Sequence, residues 1–291
     1  MRSPVKFALV HLGDAKFLEL KRDIILGLYH TLRALGHDVF ISHNMLDKSR
    51  LNLLVGLDIT SPDVRTKLRN SGIAYWVYET EIIHAGQLNF RPHALMDLQQ
   101  DYLPTLAKAQ RILSPFRQVV QTLKDLDIDA NYARWGYVPE LTEVETRAPG
   151  EKGIDGYFFG IMTPTRKFAV QSLRQAGLKI KTSDYPGVPA YLRHHYMSRS
   201  KLILSLKHSE NWQTINPYRI MHALQNHCCP VVESQHQDQD GYGQYAVMPS
   251  QDKFTVSCVE MIRSGSYQPM FEEKLARLRE EPMTEVFKAL L

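Results

Sequence analysis

Hydrophobic positions along the chain alternate between short runs and helical stripes. Val5–Leu12 is a short apolar run of strand length. Phe17, Leu20, Ile24, Leu28, Leu32 and Leu35 then keep a helical period that Gly36 closes, so a helix is expected over Phe17–Leu35. Strands follow at Asp38–Ser42 and Asn52–Leu57. Ser61 caps a short helix over Pro62–Asn70. Ile73–Tyr78 is β-branched and aromatic, which suits a central strand. Ile82–His93 reads as loop and Ala94–Lys108 as helix. Arg111–Leu113 (strand), Pro115–Leu126 (helix) and Asn131–Trp135 (strand) complete the first half. This alternation predicts a parallel sheet covered on both faces.

Val138–Gly156 carries Pro139, Pro149, Gly150, Gly153 and Gly156 among charges, and reads as an interdomain linker. The alternation then restarts. Tyr157–Phe159 is a strand, Gly160–Thr163 a loop, Pro164–Ala176 a helix and Leu178–Lys181 a strand. A helix at Ala190–Ser198 leads into a strand at Lys201–Leu206. Asn216-Pro217 opens the next helix as cap and first residue, and Pro217, Ile220, Met221 and Leu224 form its buried stripe. Pro230–Glu233 is the strand that closes this βαβ unit. Gln235–Tyr245 reads as a polar loop, Ala246–Met248 as a strand, Thr255–Arg263 as a helix, and Phe271–Leu291 as helical with a break at Pro282. The expected division is 1–145 and 146–291, with the last helix packing back on the first domain. The fold class is α/β, with two similar halves facing each other across a cleft.

Composition adds bounds. A chain of 291 residues suits two domains. The hydrophobic content of 44% is that of a soluble globular protein, and no run of 18 apolar residues marks a membrane span. The first apolar run ends at His11 and Gly13-Asp14 with no small-residue cleavage site, so it reads as a strand and not a signal peptide. Three cysteines make no disulfide framework and fit a reducing cytoplasm. The net charge of +4 suits an anionic ligand. Twelve histidines are scattered, and adjacent His194 and His195 point different ways on a helix, so no tightly held metal is expected. Cys228 and Cys229 read as packing residues. Motifs of P-loop NTPases, simple Rossmann dehydrogenases and serine hydrolases are absent from the sequence.

Candidate chemistry gathers at helix starts and strand ends. In Gly160-Ile-Met-Thr163-Pro-Thr-Arg166-Lys167, the glycine admits close backbone approach and Thr163 caps a helix. Arg166 and Lys167 lie on its first turn, where each cation costs the helix about 0.3–1 kcal/mol and a bound phosphate would reverse the sign. Lys207, Asn216 and Arg219 surround a second helix start, on the neighbouring strand end. Together the two starts suit a diphosphate, while Glu233 suits a ribose or sugar hydroxyl. In the first half, Glu79-Thr80-Glu81 ends the central strand. One carboxylate there could act as a base toward an acceptor hydroxyl, or hold it. His11, Gly13 and Asp14 end the first strand in the same way.

These segments bear a likeness to a known family. YFFGIMTPTRKFAVQSLRQAGLKI, then KLILSLKH, NPYRIMHAL and PVVES, resemble the carboxyl-terminal domain of GT-B-fold glycosyltransferases. WVYETE, RILSPF and ARWGYVPEL resemble their first domain, so the likeness spans nearly the whole chain. It implies two Rossmann-like domains, with a nucleotide-sugar donor on the second and an acceptor on the first. Arg166, Lys167, Lys207 and Arg219 would contact the donor diphosphate, with Gly160 and Thr163 in the turn beside it. Asn216 and Glu233 would lie near the nucleotide or sugar. Family members often carry Glu where Asn216 stands, and their long Gly-rich loop before the last strand is missing here. Glu81, His11 and Asp14 would serve catalysis, and Gly13 and Glu79 acceptor binding. The resemblance implies no tightly bound metal or cofactor. It implies a nucleotide-diphosphate sugar as co-substrate, a UDP-sugar first, and a hydroxyl acceptor that is a glycan or a hydroxymethylated base of phage DNA. A nucleotide-sugar epimerase and a non-catalytic nucleotide-sugar binding protein share this fold and stay open at this point.

Overall fold

The computed structural model describes residues 4–84, 86–89, 97–183, 187–212, 214–233 and 238–291. The chain divides into two compact units. Unit 1 is Met1–Trp135 with Met283–Leu291, and unit 2 is Gly136–Pro282.

Unit 1 opens with β1 (Lys6–His11), α1 (Leu18–Ala34), β2 (Asp38–His43), β3 (Leu51–Val55), α2 (Pro62–Asn70) and β4 (Tyr75–Tyr78). A small antiparallel hairpin follows, β5 (Ile83–His84) and β6 (Gln87–Leu88). The remainder is α3 (Leu103–Ala107), β7 (Arg111–Ser114), α4 (Arg117–Lys124) and β8 (Asn131–Tyr132). Its parallel sheet runs β2-β1-β3-β4-β7-β8. Phe7, Ala8, Leu9 and Val10 of β1 are all buried, as a central strand covered on both faces requires. The stripe of α1 differs from the expected one at its start. Leu20 is 43% exposed, and the inward face runs through Lys21, Ile24, Ile25, Leu28, Thr31 and Leu32. A hydrophobic residue yields an inward position to a lysine only where that lysine has buried partners. The loop expected over Ile82–His93 contains the hairpin, and its residues 85 and 90–93 lie outside the described residues. The helix expected over Ala94–Lys108 starts outside them too, and its visible part is a π-turn at Leu98–Tyr102 leading into α3.

Unit 2 contains β9 (Ile154–Phe159), α5 (Pro164–Gln175), β10 (Ile180–Ser183), α6 (Ala190–Met197), β11 (Ser200–Ser205), α7 (Pro217–Gln225), β12 (Cys229–Val232), α8 (Phe254–Ser264) and α9 (Tyr267–Arg279). Its parallel sheet runs β10-β9-β11-β12. Val138–Gly156 is part of this unit. The Asn226 side chain accepts from the backbone N–H groups of Glu143 and Val144 at 2.8 and 2.9 Å and donates to the Leu141 carbonyl at 3.0 Å, which fastens the segment to the end of α7. Proline and glycine content therefore marked an irregular segment here, and side-chain hydrogen bonds fixed where it lies. Ala246–Met248 forms a single bridge, Val247 with Val231, instead of a strand. Of the loop expected over Gln235–Tyr245, residues 235–237 lie outside the described residues and Tyr242–Tyr245 is a 3-10 turn.

The last helix, α10 (Met283–Leu290), belongs to unit 1. There Phe287 meets the Tyr78 ring at 6.4 Å between centroids, and Arg111 donates to the Leu290 carbonyl. Among the described residues no helix is long and apolar enough to cross a membrane.

Candidate functional site

In open parallel sheets, ligands settle beyond the carboxyl ends of the strands, where the strand order reverses. In unit 2 that point lies between β9 and β11, and a recess opens there. It is lined by Arg166, Lys207, Trp212, Thr214, Asn216, Arg219 and Glu233, with the ends of β11 and β12 as its floor.

Three arginines meet at this point. Arg166 lies on the buried stripe of α5 with Ala169, Val170 and Leu173. Its guanidinium donates to the carbonyls of Ile161 at 2.7 Å, Lys207 at 3.1 Å and Leu206 at 3.2 Å, so it straps the two loops together. Burial draws its pKa down to about 10, an effect that Glu233 offsets only in part. Arg219 rises from the first turn of α7, where Asn216 Oδ1 accepts from its backbone N–H at 3.1 Å. Its Nη2 donates to the Phe159 carbonyl at 2.9 Å, and its guanidinium carbon lies 5.1 Å from the centroids of both the Phe158 and Phe159 rings. Its buried Nε–H has no partner. Burial first, then Arg166 and Arg193, pull its pKa down to about 9. Arg193 of α6 covers Phe159 at 5.5 Å. A desolvated cation beside two others, with a donor unused, is a receptor for an anion.

The remaining candidates separate clearly. Gly160 has φ +131°, and a Cβ there would stand 3.2 Å from Arg219 Nη2, so the glycine leaves room for that side chain. Thr163 caps α5, accepting from Arg166 N–H at 3.4 Å. Lys207 is buried and its Nζ donates to Gln251 at 3.2 Å. Glu233 is buried at the end of β12 and accepts from Lys207 N–H at 3.2 Å. Burial raises its pKa, against the pull of Lys207. Lys167 is exposed and does not line the recess. It sits one residue, about 100° of helix, from Arg166, so the buried stripe carries only one of the pair.

Unit 1 repeats the topology, with its reversal between β1 and β3. His11 ends β1, is 1% exposed, and neither ring nitrogen has a partner. Burial, then His43 and Lys21, lowers its pKa to about 4, so the imidazole is neutral. Two residues on in the chain, Gly13 has φ +117°, and a Cβ there would meet Ile59 Cγ1 at 2.8 Å. Its N–H donates to Asn44 at 2.9 Å. Asp14 is exposed, caps a 3-10 turn and pairs with Lys16 at 3.0 Å, apart from the buried groups.

The buried groups centre on Lys21. Its Nζ meets Glu81 at 2.6 Å, Asp58 at 3.1 Å and Thr80 Oγ1 at 2.8 Å. Burial alone would lower the lysine, but the two carboxylates outweigh it and hold it above the ordinary range. Burial would raise Glu81, yet Lys21 and the hydrogen bonds keep it low. Asp58 goes the other way, up to about 6, through burial and the neighbouring Glu81. Glu79 is buried too. It accepts from Tyr102 OH at 2.6 Å and Glu81 N–H at 2.8 Å, and burial lifts it to about 8. No motif in the sequence marks Lys21, Asp58, Tyr102 or Arg193. Only Lys21 had a signal, four residues after Phe17 and three before Ile24 on the inward face.

The chain's sequence matches no protein-family model and no curated protein sequence. Its backbone matches solved structures. A T4 phage beta-glucosyltransferase aligns over 98% of both chains, with a TM-score of 0.57 and 11% identity. An alpha-glucosyltransferase solved with UDP and a 13-mer DNA containing an HMU base aligns over 99% of this chain and 98% of its own, with a TM-score of 0.63 and 11% identity. An alpha,alpha-trehalose-phosphate synthase (UDP-forming) from Burkholderia vietnamiensis aligns over 93% and 76%, with a TM-score of 0.51 and 10% identity.

The fold is GT-B. At such identity the likeness shows the backbone arrangement alone, and a GT-B backbone hosts more than one activity. The chemistry of this chain is set by its own recess and its own buried groups.

Proposed function

We propose that the protein is a glycosyltransferase that moves a sugar from a nucleotide-diphosphate sugar, a UDP-sugar first, to a hydroxyl acceptor. The observation that carries this reading is Arg219: a desolvated guanidinium at the sheet's switch point, with an unpaired Nε–H and two further arginines beside it. A diphosphate supplies the charge and the acceptor oxygens this group lacks. The start of α7 adds its dipole on the same side. Unit 2 is thereby assigned the donor. The cost of leaving-group charge is met by Arg219, Arg166 and Lys207, which are already in place before reaction, and not by a tightly bound metal. Glu233, raised and close to Lys207 N–H, is assigned a hydroxyl of the nucleotide or sugar. Unit 1 is assigned the acceptor. The UDP complexes among the solved structures with this backbone support the donor class.

One of those structures also holds DNA with an HMU base, which favours a hydroxymethylated DNA base as acceptor over a glycan. The net charge of +4 agrees with a polyanionic partner.

Thermal melting tests the reading. UDP should raise the melting temperature by several degrees at concentrations where uridine does nothing, because a ligand of the native state stabilises it. Duplex DNA with 5-hydroxymethyl bases should consume UDP-glucose, with binding that weakens steeply as salt rises. Equal, null shifts for UDP-, GDP-, TDP- and ADP-sugars would remove the donor site.

A further inference from the structure

Transfer to a hydroxyl needs a group that takes the acceptor's proton, and the carboxylates of unit 1 are not equally able to do so. Glu79 accepts two hydrogen bonds and, with its pKa up to about 8, keeps a proton at neutrality. Glu81 has both oxygens filled: Oε1 by Lys21 and Thr80 Oγ1, Oε2 by Asn89 at 2.5 Å. Asp14 is exposed and tied to Lys16. Asp58 differs from all three. One oxygen meets Lys21 at 3.1 Å, a backbone N–H of Asp58 itself also bonds the carboxylate, and no further side chain meets it among the described residues. The side chain is 13% exposed, enough for a ligand atom to reach it. It lies three residues beyond Val55, which pairs in register with His11 across β1 and β3. His11 supplies the second, independent observation: a buried imidazole with both nitrogens unpartnered at the same switch point. A neutral imidazole offers one donor and one acceptor, which suits a hydroxyl-bearing ligand.

We propose that Asp58 is the catalytic base of unit 1, taking the proton of the acceptor hydroxyl while His11 orients the acceptor. The inference rests on the transferase reading above. In the step, the acceptor O–H bond breaks and its proton passes to the Asp58 oxygen that Lys21 does not hold. The acceptor oxygen forms a bond to the anomeric carbon. The bond from that carbon to the diphosphate breaks, and its electron pair leaves with the nucleoside diphosphate. Lys21 is a positioning residue: it fixes the orientation of Asp58 and Glu81 without meeting the substrate.

The charged and titratable groups facing Asp58 set its pH range. Lys21 comes from α1, Glu79 and Glu81 from the end of β4, and Tyr102 from the π-turn that leads into α3. Burial and Glu81 bring it to about 6 against the pull of Lys21. The base is therefore ionised above pH 6 and protonated below it, so activity falls on the acid side.

The test uses UDP-glucose with water as acceptor and reads UDP release from pH 5 to 9, beside UDP affinity by calorimetry. The wild-type rate should level off above pH 6 and fall about tenfold per pH unit below it. Asp58→Asn should lower kcat by about 10²-fold or more, lose that acid limb and bind UDP as tightly as wild type. Asp58→Glu should recover part of the rate. An Asp58→Asn protein with kcat within about threefold of wild type, or with the limb intact, overturns the assignment. If that variant does not fold, a wild-type rate that stays flat from pH 5 to 7 overturns it alone. UDP-glucose binding with no UDP release also overturns it, whereas a wild type that binds no UDP sinks the transferase reading instead.

Discussion

Arg219→Met should bind UDP at least about 30-fold more weakly than wild type and yet melt no lower. Losing one partner of a buried charge pair costs about 2–5 kcal/mol of binding, and each 1.4 kcal/mol is tenfold in affinity. The melting temperature follows from the other half of the same fact. Burial, Arg166 and Arg193 depress the pKa of Arg219 to about 9. A cation whose folded pKa lies below its unfolded one is a liability at every pH below the folded value. Methionine keeps the apolar bulk against Phe158 and Phe159 and removes that liability. What is lost is one hydrogen bond to the Phe159 carbonyl and the cation's place over the two rings, which is a smaller term. Calorimetry with UDP and a melting curve without it check both arms. A large fall in melting temperature would show that Arg219 is structural, and unchanged UDP affinity would remove it from the diphosphate site.

The second large effect belongs to Lys21. Lys21→Met should destabilise the protein by about 3–5 kcal/mol, since it leaves Asp58 and Glu81 facing one another in a buried setting with no cation between them. For a unit of this size that lowers the melting temperature by roughly 10 °C. The loss should depend on pH in a definite direction. Without Lys21 both carboxylates have folded pKa values raised above their unfolded ones, so they destabilise at high pH and the penalty shrinks as they protonate. The gap between variant and wild type should therefore be wide at pH 7–8 and narrow near pH 5. A gap of under 2 °C, equal at both pH values, would contradict the buried triad.

Both predictions concern residues that the sequence reveals unevenly. The two sheets were legible because buried parallel strands are short apolar runs, and the βαβ order follows from their alternation with helical stripes. The α7 stripe of Pro217, Ile220, Met221 and Leu224 is buried in the structure for the same reason. Asn216 as cap and Arg219 on the first turn are local facts, set within four residues, and local facts can be read from a string. Arg166 illustrates the limit. Its spacing to Ala169, Val170 and Leu173 puts it on the buried face, but two of its partner carbonyls, Leu206 and Lys207, lie 40 and 41 residues away. Lys21 was hidden for a related reason. Hydropathy favours Leu20 for the inward position, and only the long-range partners Asp58 and Glu81 make a lysine tolerable there. Glu81 stood out as a strand-end carboxylate, yet its chemistry depends on Lys21, Thr80 and Asn89, which no spacing rule joins.

A donor diphosphate seated on the unpaired Nε–H of Arg219 is what the proposed function requires first. The direct measurement is an NMR titration of ¹⁵N-arginine-labelled protein with UDP and, separately, with uridine, with the Arg219 Nε–H signal assigned by its absence from Arg219→Met. This signal should move on adding UDP and stay in place with uridine. If calorimetry shows UDP bound while the Arg219 Nε–H signal does not move, the diphosphate lies elsewhere and Arg219 is not its receptor.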